Sequence, residues 1–419
     1  MMTEKSQLLH LAPAPGRSAL RNQRPSRRVA FYSHDTVGLG HTRRNLALAA
    51  ALVRAGEATD VLLVTGNPEA GALPLPDHTD IVTLPTVTKD SAGRYQSRVF
   101  HSPLSVVVDI RSKVIEAALT AFDPDLLIVD KVPLGVQDEL EPTLARLVRT
   151  GRTRIVLGLR EILDEPVAAV REWEAMRTSQ AIADFYDEVW VYGDRNVYDP
   201  VVEYGLPASV AAKIVYTGYL SHGRSDGVDR PSAGACLVPD SPYVLCLVGG
   251  GQDGFALAEA FAGTPMPAGH QGIVVTGPFM TAAQRQQVQD AAAANPHISV
   301  HGFVPNAEEL LRGAAAVVSM AGYNSACEIL ATATPALLVP RTRPRAEQLV
   351  RAQCLAEHGL ADVVEIEELD RQELGRWLRG AVTDSRHGEN RATSEIDLDG
   401  LQKIPALVAS LVEGLNHAA

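Results

Sequence analysis

The sequence predicts an α/β protein built from two tandem, doubly wound parallel sheets, and three observations carry that expectation. The chain has 419 residues, too many for one comfortable core and about right for two. Short β-rich apolar runs alternate with helical stretches, and the runs are continuous, as parallel strands covered on both faces require. The alternation lapses once, near Gly218, and then restarts. The expected fold is a pair of Rossmann-like domains facing a central cleft, with ligands at the carboxyl ends of the strands.

In the first half the expected strands are 29–33, 61–65, 81–84, 126–129, 155–159 and 189–192, with helices over 43–54, 106–122 and 166–185. Residues 221–240 hold Gly, Ser, Asp and Pro with little periodicity and read as a linker. The second strand series is 243–248, 273–276, 298–301, 316–319 and 336–339. Polar residues 383–400 read as a mobile loop and 401–415 as an amphipathic helix. The layout expected is a disordered tail 1–26, an acceptor domain 27–220, the linker 221–240, a donor domain 241–400 and a C-terminal helix 401–419.

Composition narrows the function. Hydrophobic residues make up 46% and charged residues 21%, an ordinary globular balance. A formal charge of −12 argues against a nucleic-acid partner, because phosphate backbones reward basic stripes. Cys236, Cys246, Cys327 and Cys354 lack C-x-x-C spacing and read as reduced apolar side chains. No apolar run approaches the roughly 18 residues that span a bilayer, and the first 26 residues lack an apolar leader core. A cytoplasmic protein is expected; oligomeric state is not legible.

Four motifs sit at expected strand ends. The run Phe31-Tyr-Ser-His-Asp-Thr-Val-Gly-Leu-Gly-His41 follows the opening strand, with Gly38 and Gly40 allowing a tight turn into a helix. A third glycine is missing, so a dinucleotide reading is weak. His41 there could take a proton from an incoming hydroxyl, or cap the helix and bond the backbone; His34 reads as a structural partner of the loop. The run Leu247-Val-Gly-Gly-Gly-Gln-Asp-Gly254 could wrap a diphosphate in amides from Gly249, Gly250 and Gly251, beside Gln252, or be a plain turn. It lacks the Gly-Lys-Ser/Thr ending of a P-loop, which disfavours ATP hydrolysis.

The run Ser319-Met-Ala-Gly-Tyr-Asn-Ser-Ala-Cys-Glu328 offers an anion site at a helix start, with Glu328 able to accept ribose hydroxyls or merely stabilise the helix. Val339-Pro-Arg-Thr-Arg-Pro-Arg-Ala-Glu-Gln348 ends in Glu347 and Gln348, suited to sugar hydroxyls or to solvent. Asp123-Pro-Asp125 has the look of a metal-binding pair but reads better as the opening of a strand, so no metal is expected.

The last three motifs, in that order, resemble the donor domain of MurG-like glycosyltransferases of family 28, a GT-B fold. The first motif resembles that family's N-terminal glycine loop ending in histidine. The resemblance implies a nucleotide-sugar cosubstrate, a UDP-sugar, with Gly249 to Gln252 on the diphosphate and Phe303 and Val304 flanking the base. It further implies Gly322, Asn324 and Ser325 at the phosphates, Glu328 at the ribose, Glu347 with Gln348 at the sugar, and His41 as catalytic base. Direct displacement would invert the anomeric carbon without a metal or other cofactor.

Three departures are visible: Gly251 and Asp253 differ from the usual residues, an arginine expected shortly after Gly218 is absent, and Arg351 replaces an asparagine that would touch the hexose. Loops 66–78 and 86–103 show no apolar patch, which favours a small soluble acceptor, such as a secondary metabolite. A nucleotide-sugar hydrolase and a non-catalytic glycosyltransferase-like partner are the alternatives.

Overall fold

The computed structural model describes residues 26–34, 38–89, 94–224, 238–304, 307–332, 334–383 and 395–416. The expected tail therefore lies outside the described residues apart from Ser26, as do 225–237 of the linker, 384–394 of the late loop, and Cys236.

The first sheet is built from β1 (Arg27–Ser33), β2 (Thr59–Thr65), β3 (Thr79–Thr83), β6 (Leu126–Asp130), β7 (Arg154–Arg160), β8 (Glu188–Tyr192) and β9 (Ile214–Tyr216). Its order is β3-β2-β1-β6-β7-β8-β9, and every pairing is parallel. Alternate residues of β1 enter opposite cores: Val29 and Phe31 pack with Leu48 and Leu52, Ala30 and Tyr32 with Ile115 and Leu119. That two-sided burial is why the run is continuously apolar; each such side chain stabilises by about 1.5–3 kcal/mol. A small antiparallel ribbon, β4 (Val87–Lys89) with β5 (Tyr95–Ser97), escaped the sequence pattern because its strands are too short to show a period.

The second sheet contains β10 (Tyr243–Leu247), β11 (Gln271–Val275), β12 (Ile298–His301), β13 (Ala316–Ser319), β14 (Ala336–Leu338) and β15 (Asp362–Val363), in the order β12-β11-β10-β13-β14-β15, again all parallel. The expected fold class, two doubly wound parallel sheets, is the observed one. In each sheet the chain reverses direction beside its first strand, between β1 and β6 and between β10 and β13. Such switch points open a crevice at the carboxyl ends of the strands.

Helices α1 (Gly40–Arg54), α2 (Leu104–Phe122) and α3 (Glu141–Thr150) cover the first sheet. The single helix expected over 166–185 is two, α4 (Pro166–Ala175) and α5 (Thr178–Phe185). Arg177, at φ 52°, turns the chain left-handed between them, a break that helical periodicity does not reveal. Short helices α6 (Pro200–Glu203) and α7 (Ala208–Ala211) lead to β9. The second half carries α8 (Phe255–Ala262), α9 (Ala282–Ala292), α10 (Ala307–Gly313), α11 (Tyr323–Leu330), α12 (Glu347–Glu357) and α13 (Arg371–Thr383).

The last helix, α14 (Gly400–Asn416), crosses back to the first half. Leu220 bridges Asp399, Arg154 Nε donates to the Leu411 carbonyl, and Leu401, Ile404 and Val408 share a core with Leu48 and Leu52. The sequence marked this helix as a separate element without saying which half it packs on.

Candidate active site between the two sheets

The carboxyl end of β1 feeds Gly38 and Gly40 into α1, and Gly38, at φ 88°, takes the backbone through the left-handed region. His41 lies in the first turn. Its Nδ1 is 3.1 Å from Asp130 Oδ2, at the end of β6 across the switch point. The ring binds a carboxylate and not the backbone, so the helix-capping alternative is not what the geometry shows. Arg44 Nη2 donates to both Asp130 oxygens, at 2.5 and 2.6 Å. Burial would raise the Asp130 pKa, but Arg44 and His41 outweigh it and hold the carboxyl well below its usual range. The same Nδ1 lies 3.0 Å from Arg44 Nη2, and 21% of the side chain reaches solvent; the tautomer that donates Nδ1–H to Asp130 is the one that leaves the Nε2 lone pair free.

His34 follows β1 and is only 6% exposed. Its ring meets His41 edge-on at 5.1 Å, and its Nδ1 has no partner among the described residues. Burial, with His41 and Lys131 adding repulsion, pushes its pKa well below normal, so it stays neutral.

On the facing sheet, Gly249 and Gly250 are exposed while Gly251 is buried. Gly251 sits at φ 91° and a Cβ there would lie 2.1 Å from the Thr276 carbonyl oxygen, which explains why a serine cannot stand at this position. Its N–H is spent on Val248 O at 3.3 Å, so of the three expected amides it is already engaged. Gln252 is exposed, and Asp253 accepts from Arg341 at 3.2 Å. Phe303 is 52% exposed and Val304 buried, which leaves an aromatic face open beyond β12.

Gly322 precedes α11, and Asn324, Ser325 and Glu328 follow on it. This helix start meets α1 directly. Asn324 Nδ2 donates to Gly40 O at 2.9 Å, and Arg43 Nη2 donates to Glu328 Oε1 at 2.8 Å. Arg224 adds a bond to Asn324 Oδ1 at 3.0 Å and stands 3.7 Å from Glu328. The arginine expected shortly after Gly218 is absent there, but Arg224, further along the chain, reaches the α11 start. Glu328 is buried between two guanidinium groups rather than lying on a solvated surface.

Glu347 is likewise buried, its Oε1 accepting from Arg341 Nη2 at 2.7 Å and its Oε2 without a partner among the described residues. Gln348 Oε1 accepts from Arg341 N at 3.2 Å. Arg351 does not reach the cleft: fully buried, it bonds Glu161 at 2.6 Å and the Ala321 carbonyl at 3.1 Å. Asp125 opens β6 as expected, accepting from Arg28 N at 2.9 Å. Among the described residues no group of three or more His, Cys, Asp or Glu is placed to hold a metal, and no described helix is long and apolar enough to cross a membrane.

Sequence reasoning missed Asp130, Arg43 and Arg224. Asp130 was findable, as the carboxylate that ends a buried run; the two arginines carry no such local mark. It also missed exposed Val99 and Phe100 in the loop 86–103, where no apolar patch was expected, followed on α2 by exposed Val106 and Ile110. A cavity of about 700 Å³ lined by Pro265, His270 and His297 opens at the opposite, amino end of β10 and β11 and contains none of these residues.

Residues 244–404 match the model of the glycosyltransferase family 28 C-terminal domain. Over that stretch the chain is similar to the family 28 donor domain. The matched stretch contains every expected donor-side residue, and glycosyltransferase is the expected enzyme class. At low identity, solved structures agree in fold across the whole chain. The glycotransferase of kitacinnamycin is 15% identical, with a TM-score of 0.56, covering 94% of this chain and 98% of its own. MurG of Acinetobacter baumannii is 16% identical at TM-score 0.55, covering 92% and 99%. A UDP-N-acetylglucosamine 2-epimerase of Listeria monocytogenes, so titled as putative, is 11% identical at TM-score 0.63, covering 94% and 98%. The same GT-B scaffold therefore underlies neighbours named for different activities, and chemistry has to be argued from the site.

Proposed function

We propose that the chain is an inverting, metal-independent glycosyltransferase that moves a sugar from a nucleotide donor, a UDP-hexose or UDP-N-acetylhexosamine, to a hydroxyl of a small acceptor. The observation that carries this reading is the Asp130–His41 pair at one switch point, directly across from the α11 start at the other. Asp130 orients the imidazole and stabilises the imidazolium that forms when Nε2 takes the acceptor proton. The acceptor oxygen then attacks the anomeric carbon, its bond to the diphosphate oxygen breaks, and the configuration inverts.

The departing diphosphate needs positive charge. Arg43, Arg224, the free N–H groups of the α11 start and the exposed turn at Gly249 and Gly250 supply it in this reading, in place of a divalent ion. Arg43 exchanges Glu328 for phosphate as the ribose hydroxyls take the carboxylate. Phe303 offers a face to the base, and Glu347 and Gln348 serve the sugar.

The test is a panel of UDP- and dTDP-sugars incubated with the full chain and EDTA, following binding and nucleotide release. Tight binding of one donor with little release supports a transferase awaiting its acceptor. Rapid turnover to free sugar makes it a hydrolase, and no binding makes it a non-catalytic partner. The exposed Val99, Phe100, Val106 and Ile110 favour a second reading, an acceptor with a lipid tail. Co-sedimentation with anionic vesicles supports that reading, and its absence returns the acceptor to solution.

A further inference from the structure

The carboxyl edge of the first sheet carries more positive charge than the reaction above uses. Lys131 follows Asp130 and is tied by its N–H to the Gly158 carbonyl of β7 at 2.9 Å. Arg160 ends β7, and Lys89 ends β4 with its ammonium 4.6 Å above the Tyr95 ring. The carboxylates nearby are already claimed. Glu172 is held by both nitrogens of Arg345, at 2.6 and 2.7 Å, and Lys131 Nζ reaches it only at 4.0 Å. Asp164 takes the Ala346 N–H at 2.9 Å and lies 3.4 Å from Arg345. Glu347 is held by Arg341 at 2.7 Å through Oε1 alone, and its charge, with Oε2 unpartnered, is the main one that Arg160 feels. The buried Nε of Arg160 has no hydrogen-bond partner among the described residues.

Lys131 and Lys89 share Glu172, which Arg345 already bonds, and cations whose counter-charge is shared in this way are costly away from water. Lys131 registers that cost. Burial brings its pKa down to about 7, with Arg345, Arg160 and Lys89 adding repulsion against the attraction of Glu172. His34, which also faces it, is held neutral. Solvent still reaches the place, with Lys131 13%, Glu172 26% and Arg345 28% exposed.

We propose that Lys131, Arg160 and Lys89 form a binding site for a negatively charged group, carboxylate or phosphate, on the acceptor. The inference rests on the transferase reading and adds the acceptor's class. Position argues for the acceptor over the donor: all three residues belong to the first half, and Lys131 adjoins Asp130, which holds His41. An anion bound here places the rest of the molecule beside the His41 ring.

The probes are benzoate and inorganic phosphate, titrated into the full chain with UDP saturating, so that the donor site is filled. Binding is read by thermal shift and by calorimetry. The expected result is saturable binding of one of the two, which tells carboxylate from phosphate. Lys131→Met and Arg160→Gln each weaken that binding tenfold or more, and Lys89→Gln, an exposed change that leaves folding intact, weakens it measurably. UDP affinity stays within twofold throughout. No saturable binding of either probe, or equal binding in all three variants, overturns the proposal. Loss of UDP affinity in the Lys131 and Arg160 variants also overturns it, by assigning the cluster to the donor. Failure of the parent to bind UDP at all counts against the transferase reading instead.

Discussion

Arg43, on the first helix of one half, donates a 2.8 Å hydrogen bond to the Glu328 carboxylate on the other half. With Arg224 behind it, Glu328 faces two guanidinium groups, and in the proposed reading a ribose takes over the contact Arg43 now makes. Glu328→Ala is expected to weaken UDP binding by about tenfold or more, the usual worth of hydrogen bonds to a charged group. Calorimetry with UDP measures it. Unchanged affinity would leave Glu328 as a pin between the halves and nothing more.

The His41–Asp130 pair makes two variants informative together. His41→Ala should lower kcat by roughly 10²- to 10⁴-fold, the range for a positioned base. Asp130→Asn should lower it by a similar order, because an amide no longer selects the Nδ1–H tautomer or stabilises the imidazolium. UDP affinity should be unaffected in both. Transfer within a few-fold of the parent in His41→Ala would remove the assigned base.

Arg351 and Glu161 form an ion pair with no solvent exposure on either side, joining α12 of one half to the end of β7 of the other. Arg351→Ala leaves Glu161 charged and buried and should cost about 3–5 kcal/mol in urea unfolding. The double variant Arg351→Met with Glu161→Leu should recover most of that loss. A single variant as stable as the parent would mean water reaches Glu161.

Lys131 ties stability to pH. Its folded pKa, brought down to about 7, lies below its unfolded value, so between about pH 7 and 10 the unfolded chain binds the extra proton. That group's contribution therefore improves as pH rises through this window. Lys131→Met should be more stable than the parent below pH 7 by a few kcal/mol, because each tenfold loss of proton affinity on folding costs roughly 1.4 kcal/mol. The gap should close toward pH 10. Urea midpoints at several pH values show whether it does; a gap independent of pH would place the lysine in water.

Much of this architecture was readable in one dimension. Strands buried on both faces, such as 126–129, announce themselves as unbroken apolar runs, and Gly249 and Gly251, both at positive φ, mark a turn that side chains rarely make. His41 was readable because strand ends are where such sheets hold ligands. Its partner was not named, although Asp130 ends a run that was recognised, since only the pairing of β1 with β6 brings the two together.

Local pattern therefore decided the class of fold, the order of strands along the chain and the places where chemistry could sit. Tertiary structure decided which charges meet: Asp130 is 89 positions from His41, and Glu328 is 285 from Arg43. It also docked α14 on the first half, brought Arg224 to the α11 start, and buried Arg351 away from the cleft. The physical reason is range. Periodicity and turn chemistry act over a few residues, whereas an ion pair forms wherever packing brings opposite charges together and excludes water from between them.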